Sequence, residues 1–148
     1  SDPDGWQHHF AHMIPADAMH RVHFLGMISD AVKEKLLARA YCLLFPSRYE
    51  SFGLVPLEAF VHGVPVVASR SGAIPEVVLD DVCGILFDEN DSDMMAGAVR
   101  RLLTDERLHH RLSQGALARV RKLSSRNSAQ STLSIYQTLI SNPEAIEQ

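Results

Sequence analysis

The sequence has few cysteines, no long apolar run and no signal-peptide pattern. Its 148 residues include two cysteines, Cys42 and Cys83, whereas small disulfide-stabilised secreted domains carry more of them at closer spacing. No apolar stretch approaches the roughly 20 residues that span a bilayer, and the polar residues 1–5 do not resemble a signal peptide. We therefore expect two free thiols and a cytoplasmic location.

The sequence also lacks a strong excess of one charge. A formal net charge of −4 gives no basic surface of the kind that binds nucleic acid, so no nucleic-acid partner is expected. The apolar fraction of 46% and the charged fraction of 22% are those of a globular protein, and a chain of this length ordinarily forms one domain. Because it has no initiator Met, we expect it to be part of a longer protein.

Short apolar runs alternate with helical patterns along the chain, which predicts an α/β fold. We expect a Rossmann-like parallel sheet with helices on both faces. The predicted strands are residues 22–26, 42–45, 64–68 and 84–87. The predicted helices start at Ser29 or Asp30 and cover 54–62, 91–103, 106–123 and 128–140. Residues 1–21 are interpreted as a partial leading unit, with a helix over 6–19 interrupted at Pro15, and residues 141–148 as a frayed tail.

One loop carries the features of a ligand site. Residues 46–53, here called the glycine loop, connect the strand CLLF to a helix and contain Gly53 directly before that helix. Glycine lets the backbone approach a ligand closely, and the free N–H groups near Leu54 and Val55 together with the helix dipole favour an anion such as phosphate. Pro56 lacks an N–H group but loses little at an early helical position. In parallel sheets ligands bind beyond the carboxyl ends of the strands, where this loop lies.

Two glutamates bracket this loop. Glu50 precedes the glycine, and Glu58 lies about one turn into the helix, where its side chain tilts back toward the helix N-terminus. A carboxylate next to a diphosphate is repelled by it, so the sensible partners of both acids are neutral hydroxyl groups. A nucleotide sugar offers ribose hydroxyls, a diphosphate and a sugar together.

These residues resemble a known family. Glu50 and Glu58 have seven residues between them, Phe52-Gly53-Leu54 lies inside this spacing, and VPVVAS and SGAIPEVV follow. This pattern is similar to the signature of retaining glycosyltransferases of the GT-B fold, the glycogen-synthase and sucrose-synthase-like group 1 family. The resemblance implies the C-terminal, donor-binding lobe of an enzyme that moves a sugar from a nucleoside-diphosphate sugar to an acceptor hydroxyl, without metal or cofactor.

The resemblance also assigns roles to residues of this chain. Glu50 would be the catalytic residue, binding the donor sugar's hydroxyls, and Glu58 would hold the ribose. Both would position the donor rather than act as a general acid and base. The remaining implied contacts are the backbone around the sugar and distal phosphate, at Ser51, Phe52, Gly53, Leu54 and Val55, and the base-lining turn, at Gly26, Met27 and Ile28.

The family's N-terminal acceptor-binding domain and its diphosphate-neutralising Arg and Lys have no counterpart in this chain. We therefore expect the chain alone to be inactive; a peripheral membrane association through the missing domain stays open. A non-catalytic nucleotide-binding or domain-packing module and a sugar-nucleotide epimerase of related fold also stay open.

Other titratable residues receive structural interpretations. His8 and His12 share a helical face, but no acidic or cysteine partner stands nearby at ligand spacing, so no metal site is expected. Arg48 and Arg70 lie near strand ends, where either could face a phosphate. Ser47, Ser51 and Ser69 are interpreted as loop-capping residues. Six arginines are interpreted as the solvated faces of the late helices: Arg100, Arg101, Arg107, Arg111, Arg119 and Arg121.

Overall fold

A computed structural model describes residues 10–141 of the chain. The chain divides into two compact units, Ser1–Lys35 and Leu36–Gln148, and each is described by itself. The first part of the predicted helix over residues 6–19, with His8, lies outside the described residues. So does nearly all of the predicted frayed tail, since the description ends at Ser141.

The first unit contains a single-turn 3₁₀ helix, Met19–Arg21, and the start of helix α1, Asp30–Leu37. The start of α1 confirms the prediction from Asp30. The predicted strand over residues 22–26 is wrong: no strand is assigned there within residues 10–141, and the Val22 N–H donates back to the Met19 carbonyl at 3.1 Å. An apolar run becomes a strand only when a neighbouring strand pairs with its backbone, and a sequence pattern does not supply that neighbour.

The second unit contains a parallel sheet with the strand order β1-β2-β3. Cα partners set its register, with Leu43 opposite Val66 and Val66 opposite Gly84. The elements in chain order are β1 Leu43–Phe45, α2 Leu54–Val61, β2 Val66–Ser69, α3 Ile74–Val77, β3 Gly84–Phe87, α4 Ser92–Thr104, α5 Glu106–Lys122 and α6 Ser125–Ser141. Three of the four predicted strands and the five helices predicted after residue 28 are confirmed, with ends shifted by up to three residues. Of the helix predicted over 6–19, the described part is α-helical only at residues 10–11, and α3 was not predicted.

Alternating side chains of β2 enter two different cores. Val66 and Ala68 pack with Phe60 of α2 in one buried cluster, whereas Val67 packs with Leu102 of α4 in the other. Every residue of β2 and β3 is buried, as expected of parallel strands covered on both sides. The predicted fold class, a parallel sheet with helices on both faces, is confirmed. No helix within residues 10–141 is both long and apolar enough to cross a bilayer.

Candidate functional site

The glycine loop turns into α2 at Gly53. This residue is the N-cap of the helix and has φ 86° and ψ 49°, a left-handed backbone that favours glycine. A Cβ at this position would lie 3.6 Å from Val77 Cγ2, which is ordinary contact, so backbone conformation rather than space requires the glycine. Glycine has no side chain with which to cap the first-turn amides, so those of Leu54 and Val55 receive no cap from it.

The Glu50 carboxylate lies against the backbone of its own loop. Its Oε1 accepts hydrogen bonds from the N–H groups of Gly53 at 3.1 Å and Phe52 at 3.2 Å. These bonds, first that from Gly53 and then that from Phe52, with a smaller contribution from Ser51, lower the pKa of Glu50 below its ordinary value. Two amides therefore converge on one anionic oxygen, which fixes the carboxylate in its ionised form and leaves Oε2 to accept from a ligand.

The conformational order of the glycine loop should therefore depend on pH. Because the pKa of Glu50 is lower in the folded chain, its contribution to stability is fully present above the ordinary glutamate value of about 4.3 and is lost as the pH falls through the lowered value. We expect carboxyl NMR to show Glu50 titrating below that value, with the Phe52 and Gly53 amide shifts following the same curve. In Glu50→Gln those amide shifts should not follow such a curve, and titration of wild-type Glu50 at or above the ordinary value would contradict the geometry.

The segment that leaves β2, residues 69–73, holds the glycine loop from the other side. Ser69 and Ser71, here called the serine pair, both donate their hydroxyls to the Ser47 carbonyl, Ser71 at 2.6 Å. The Ala73 N–H donates to the Glu50 carbonyl at 3.0 Å. The interpretation of Ser69 as a loop-capping residue is thereby refined, since its partner lies 22 positions away in the sequence. Sequence reasoning missed Ser71, because no local pattern marks a partner at such a distance.

Helix α3 packs beside Gly53 and is held by an arginine of α5. Arg119 Nε donates to the Val77 carbonyl at 3.0 Å, and another guanidinium nitrogen donates to the carbonyl of Glu76. Carbonyls at a helix C-terminus lack intrahelical partners, so a cation there is stabilising. The prediction that Arg119 lies on a solvated face is therefore wrong. Arg119 holds the wall of the loop in place.

The other basic residues near the strand ends differ in their surroundings. Arg70 forms ion pairs with Asp80 and, at 3.8 Å, with Asp88, so its charge is already matched within the chain. Arg48 lines a cavity of about 200 Å³ at the carboxyl ends of the strands, beside Ser69 and Asp91. This cavity includes neither predicted glutamate, and pockets for larger ligands usually hold roughly 300–1,000 Å³.

The remaining predicted residues fall in three places. Glu58 is the fifth residue of α2 and is half-buried. Three apolar side chains of the loop region are exposed, Tyr49 by 84%, Phe52 by 53% and Leu54 by 63%. In the first unit, Gly26 has φ 59°, and Gly26, Met27 and Ile28 as the base-lining turn stay a prediction.

Comparisons with known proteins agree on one family. Residues 12–119 match the sequence model of the family described as glycosyl transferases group 1. The D-inositol 3-phosphate glycosyltransferase of Nocardioides sp. is 37% identical over 116 residues, which cover 78% of this chain and 25% of that protein. The chain thus spans about a quarter of the length of this curated relative.

Solved structures show the same likeness. Sucrose-phosphate synthase from Thermosynechococcus elongatus superposes with a TM-score of 0.78 at 28% identity, over 95% of this chain and 37% of that one. The Anabaena protein HepE, in complex with UDP-glucose, superposes with a TM-score of 0.72 at 25% identity, over 93% of this chain and 36% of that one.

Proposed function

Because the chain belongs to the glycosyl transferases group 1 family, we propose that it is the donor-binding lobe of a retaining, metal-independent glycosyltransferase. Its donor is a nucleoside-diphosphate sugar, in keeping with the UDP-glucose held by the similar HepE structure. The acceptor is a hydroxyl group presented by a further domain of the whole enzyme. Two free cysteines are in keeping with a cytoplasmic location.

The pair of amides on the Glu50 carboxylate is the observation that supports this proposal most. The Phe52 and Gly53 N–H groups point at one anionic oxygen at 3.2 and 3.1 Å, so the loop is already arranged around negative charge. The next two amides, those of Leu54 and Val55, belong to the first turn of α2 and are available to a distal phosphate. The oriented carboxylate then accepts from a hydroxyl of the donor sugar through Oε2.

The other roles follow from position along α2 and from the family. Glu58 lies one turn into the helix and is half-buried, where it accepts from the ribose hydroxyls. Both glutamates orient the donor, and transition-state charge on the leaving diphosphate is stabilised by the helix-end amides. Ser51 contributes backbone to the same loop.

The chain by itself should bind the donor without transferring its sugar. Among the arginines near the site, Arg70 is matched by Asp80 and Asp88, and Arg119 is bound to the carbonyls of α3. Arg48 lines the neighbouring cavity, and the resemblance to the family places the cations that neutralise the leaving diphosphate elsewhere in the whole enzyme. The matched part of the chain covers 25% of the length of its curated relative, which is consistent with other groups of the site lying in other parts of the whole enzyme.

Calorimetry of the chain with UDP, GDP and ADP tests the proposal. We expect at least one of these diphosphates to bind, and Glu58→Ala to weaken its binding about tenfold or more, since two hydrogen bonds to a charged carboxylate are lost. Glu89→Ala is the matched control: it also removes one acid at the carboxyl edge of the sheet, but from the lining of the 200 Å³ cavity.

The two variants separate two possible positions of the nucleotide. Loss of affinity in Glu58→Ala with little change in Glu89→Ala supports the site on α2. Loss of affinity in Glu89→Ala with little change in Glu58→Ala would indicate that the nucleotide binds in the cavity, and would contradict the proposal. Absence of binding by all three diphosphates to the folded wild-type chain would favour a domain-packing module instead.

A further inference from the structure

The glycine loop is held by two backbone carbonyls that both bond to the segment leaving β2. The Ser47 carbonyl accepts from the hydroxyls of Ser69 and Ser71, and the Glu50 carbonyl accepts from the Ala73 N–H. Gly72 lies between these contacts, and a Cβ built on it would come within 2.2 Å of the Glu50 carbonyl oxygen. The segment therefore approaches the loop at van der Waals distance, backbone to backbone.

The two side chains of the serine pair are buried. Ser69 is 3% exposed and Ser71 is 4% exposed, and these two are the buried polar side chains among the described residues. Their hydroxyl oxygens lie 3.4 Å apart and share one carbonyl, so together they fill both of its lone pairs. The bonds to the Ser47 carbonyl are partly buried, so removing both donors leaves this carbonyl without its two partners inside the chain.

Ser47 is held by the serine pair three residues before the charged residue of the loop, Glu50. Pro46 directly follows β1, and between Ser47 and α2 the loop must deliver Glu50 to the amides of Phe52 and Gly53. A carboxylate held by backbone amides two and three residues away keeps its direction only if the backbone on both sides is fixed. The Gly53 end is fixed by α2. On the other side the Ala73 N–H holds the Glu50 carbonyl, and the serine pair holds the Ser47 carbonyl three residues earlier.

From this geometry we infer that Ser69 and Ser71 are positioning residues, which aim the Glu50 carboxylate at the donor sugar through the Ser47 carbonyl. They touch neither the sugar nor the phosphate and have no part in the chemistry. The part of this inference that concerns the sugar contact rests on the proposed function. The part that concerns control of the loop by the serine pair is independent of the proposed function. Affinity for the sugar part of the donor should therefore depend on two hydroxyls outside the binding residues.

The test compares Ser69→Ala, Ser71→Ala and the double variant in the whole 148-residue chain. We expect each single variant to have a small effect, because one hydroxyl remains, and the double variant to weaken UDP-glucose binding about tenfold while UDP binding changes less. The pKa of Glu50, followed by carboxyl NMR, should rise toward its ordinary value, and the amides of Phe52 and Gly53 should exchange faster with solvent.

Three controls distinguish positioning from a general loss of stability. Ser134→Ala removes a hydroxyl that also donates to a backbone carbonyl, that of Gln130 at 2.9 Å, on exposed α6, and should change none of these quantities. Ile85→Val lowers stability from the other core and should leave the pKa of Glu50 unchanged. Ser71→Thr, made in the Ser69→Ala background, keeps one hydroxyl and should restore the behaviour of the single variant.

The readouts also separate failure of this inference from failure of the proposed function. If the double variant leaves the Glu50 pKa, the amide exchange and the UDP-glucose affinity at wild-type values, the positioning role is overturned. If the loop readouts change but the wild-type chain binds no nucleotide sugar, the serine pair still controls the loop and the sugar-binding role is overturned. A loss of melting temperature matched by Ile85→Val, without a change at Glu50, also overturns the positioning role.

Discussion

Replacing Gly72 by alanine is expected to remove most donor binding while the sheet and its two cores remain folded. Gly72 has φ 50°, where an alanine side chain costs about 1–2 kcal/mol. The added Cβ would also stand 2.2 Å from the Glu50 carbonyl oxygen, which is backbone and cannot rotate away. The loop must therefore shift, and we expect the affinity for UDP-glucose to fall by more than about tenfold.

The matched control for this change is Gly63→Ala. Gly63 has a similar left-handed φ of 69°, but a Cβ there would meet the side chains of Ser113 and Leu117, at 3.2 and 3.3 Å, rather than the backbone of the glycine loop. Both variants place alanine in a left-handed backbone conformation, and thermal denaturation should show a loss of stability in each, with the larger loss in Gly72→Ala. Binding should be lost in Gly72→Ala alone, and equal binding by the two variants would show that the close approach to Glu50 is unimportant.

Replacing Gly115 by alanine is expected to give a large loss of stability. Gly115 lies in the middle of α5, and a Cβ there would come within 1.7 Å of the Val82 carbonyl oxygen. Overpacking against backbone costs about 3 kcal/mol, whereas the better helix propensity of alanine returns about 1 kcal/mol. The net loss of about 2 kcal/mol should lower the melting temperature by roughly 4–8 °C. Since α5 also carries Arg119, the wall beside Gly53 should loosen as well.

Gly97→Ala is expected to stabilise the chain, in contrast to Gly115→Ala. Gly97 is also in a helix interior, in α4, and the Cβ built there meets no neighbouring atom of the described residues within 4 Å. The same substitution should therefore stabilise the chain by about 0.5–1 kcal/mol. Chemical denaturation of both variants measures the difference, and a stabilised Gly115→Ala would show that α5 does not lie against the segment at Val82.

Local sequence patterns predicted most of the second unit. The run 84–87 predicted β3 with the bounds that the structure has, because it opens at a glycine and the polar Asp88 ends it. Pro56 and Gly63 bracket α2 as an early proline and a terminal glycine do in many helices, and the helix ends within one residue of the prediction. The position of the glycine loop, residues 46–53, followed from the predicted strand β1 before it and from α2 after it.

Contacts that join distant parts of the chain could not be predicted in the same way. The partners of Ser69 and Ser71 lie 22 and 24 positions away, and Arg119 bonds to a carbonyl 42 positions away. A serine after a strand and an arginine on a helix are ordinary in sequence, and only the packing of β2 and α5 against the loop gives them their roles. The wrong strand at residues 22–26 has the same origin, since pairing is a property of two segments.

The position of the donor is the central claim, and amide NMR of the chain with UDP-glucose tests it most directly. We predict that addition of UDP-glucose shifts the backbone amides of Phe52, Gly53, Leu54 and Val55 with one common affinity, and that Glu58→Ala weakens this affinity about tenfold or more for all four amides together. Shifts confined to Asn90, Asp91 and Ser92, which line the 200 Å³ cavity, or shifts that Glu58→Ala leaves unchanged, would contradict a donor site on α2.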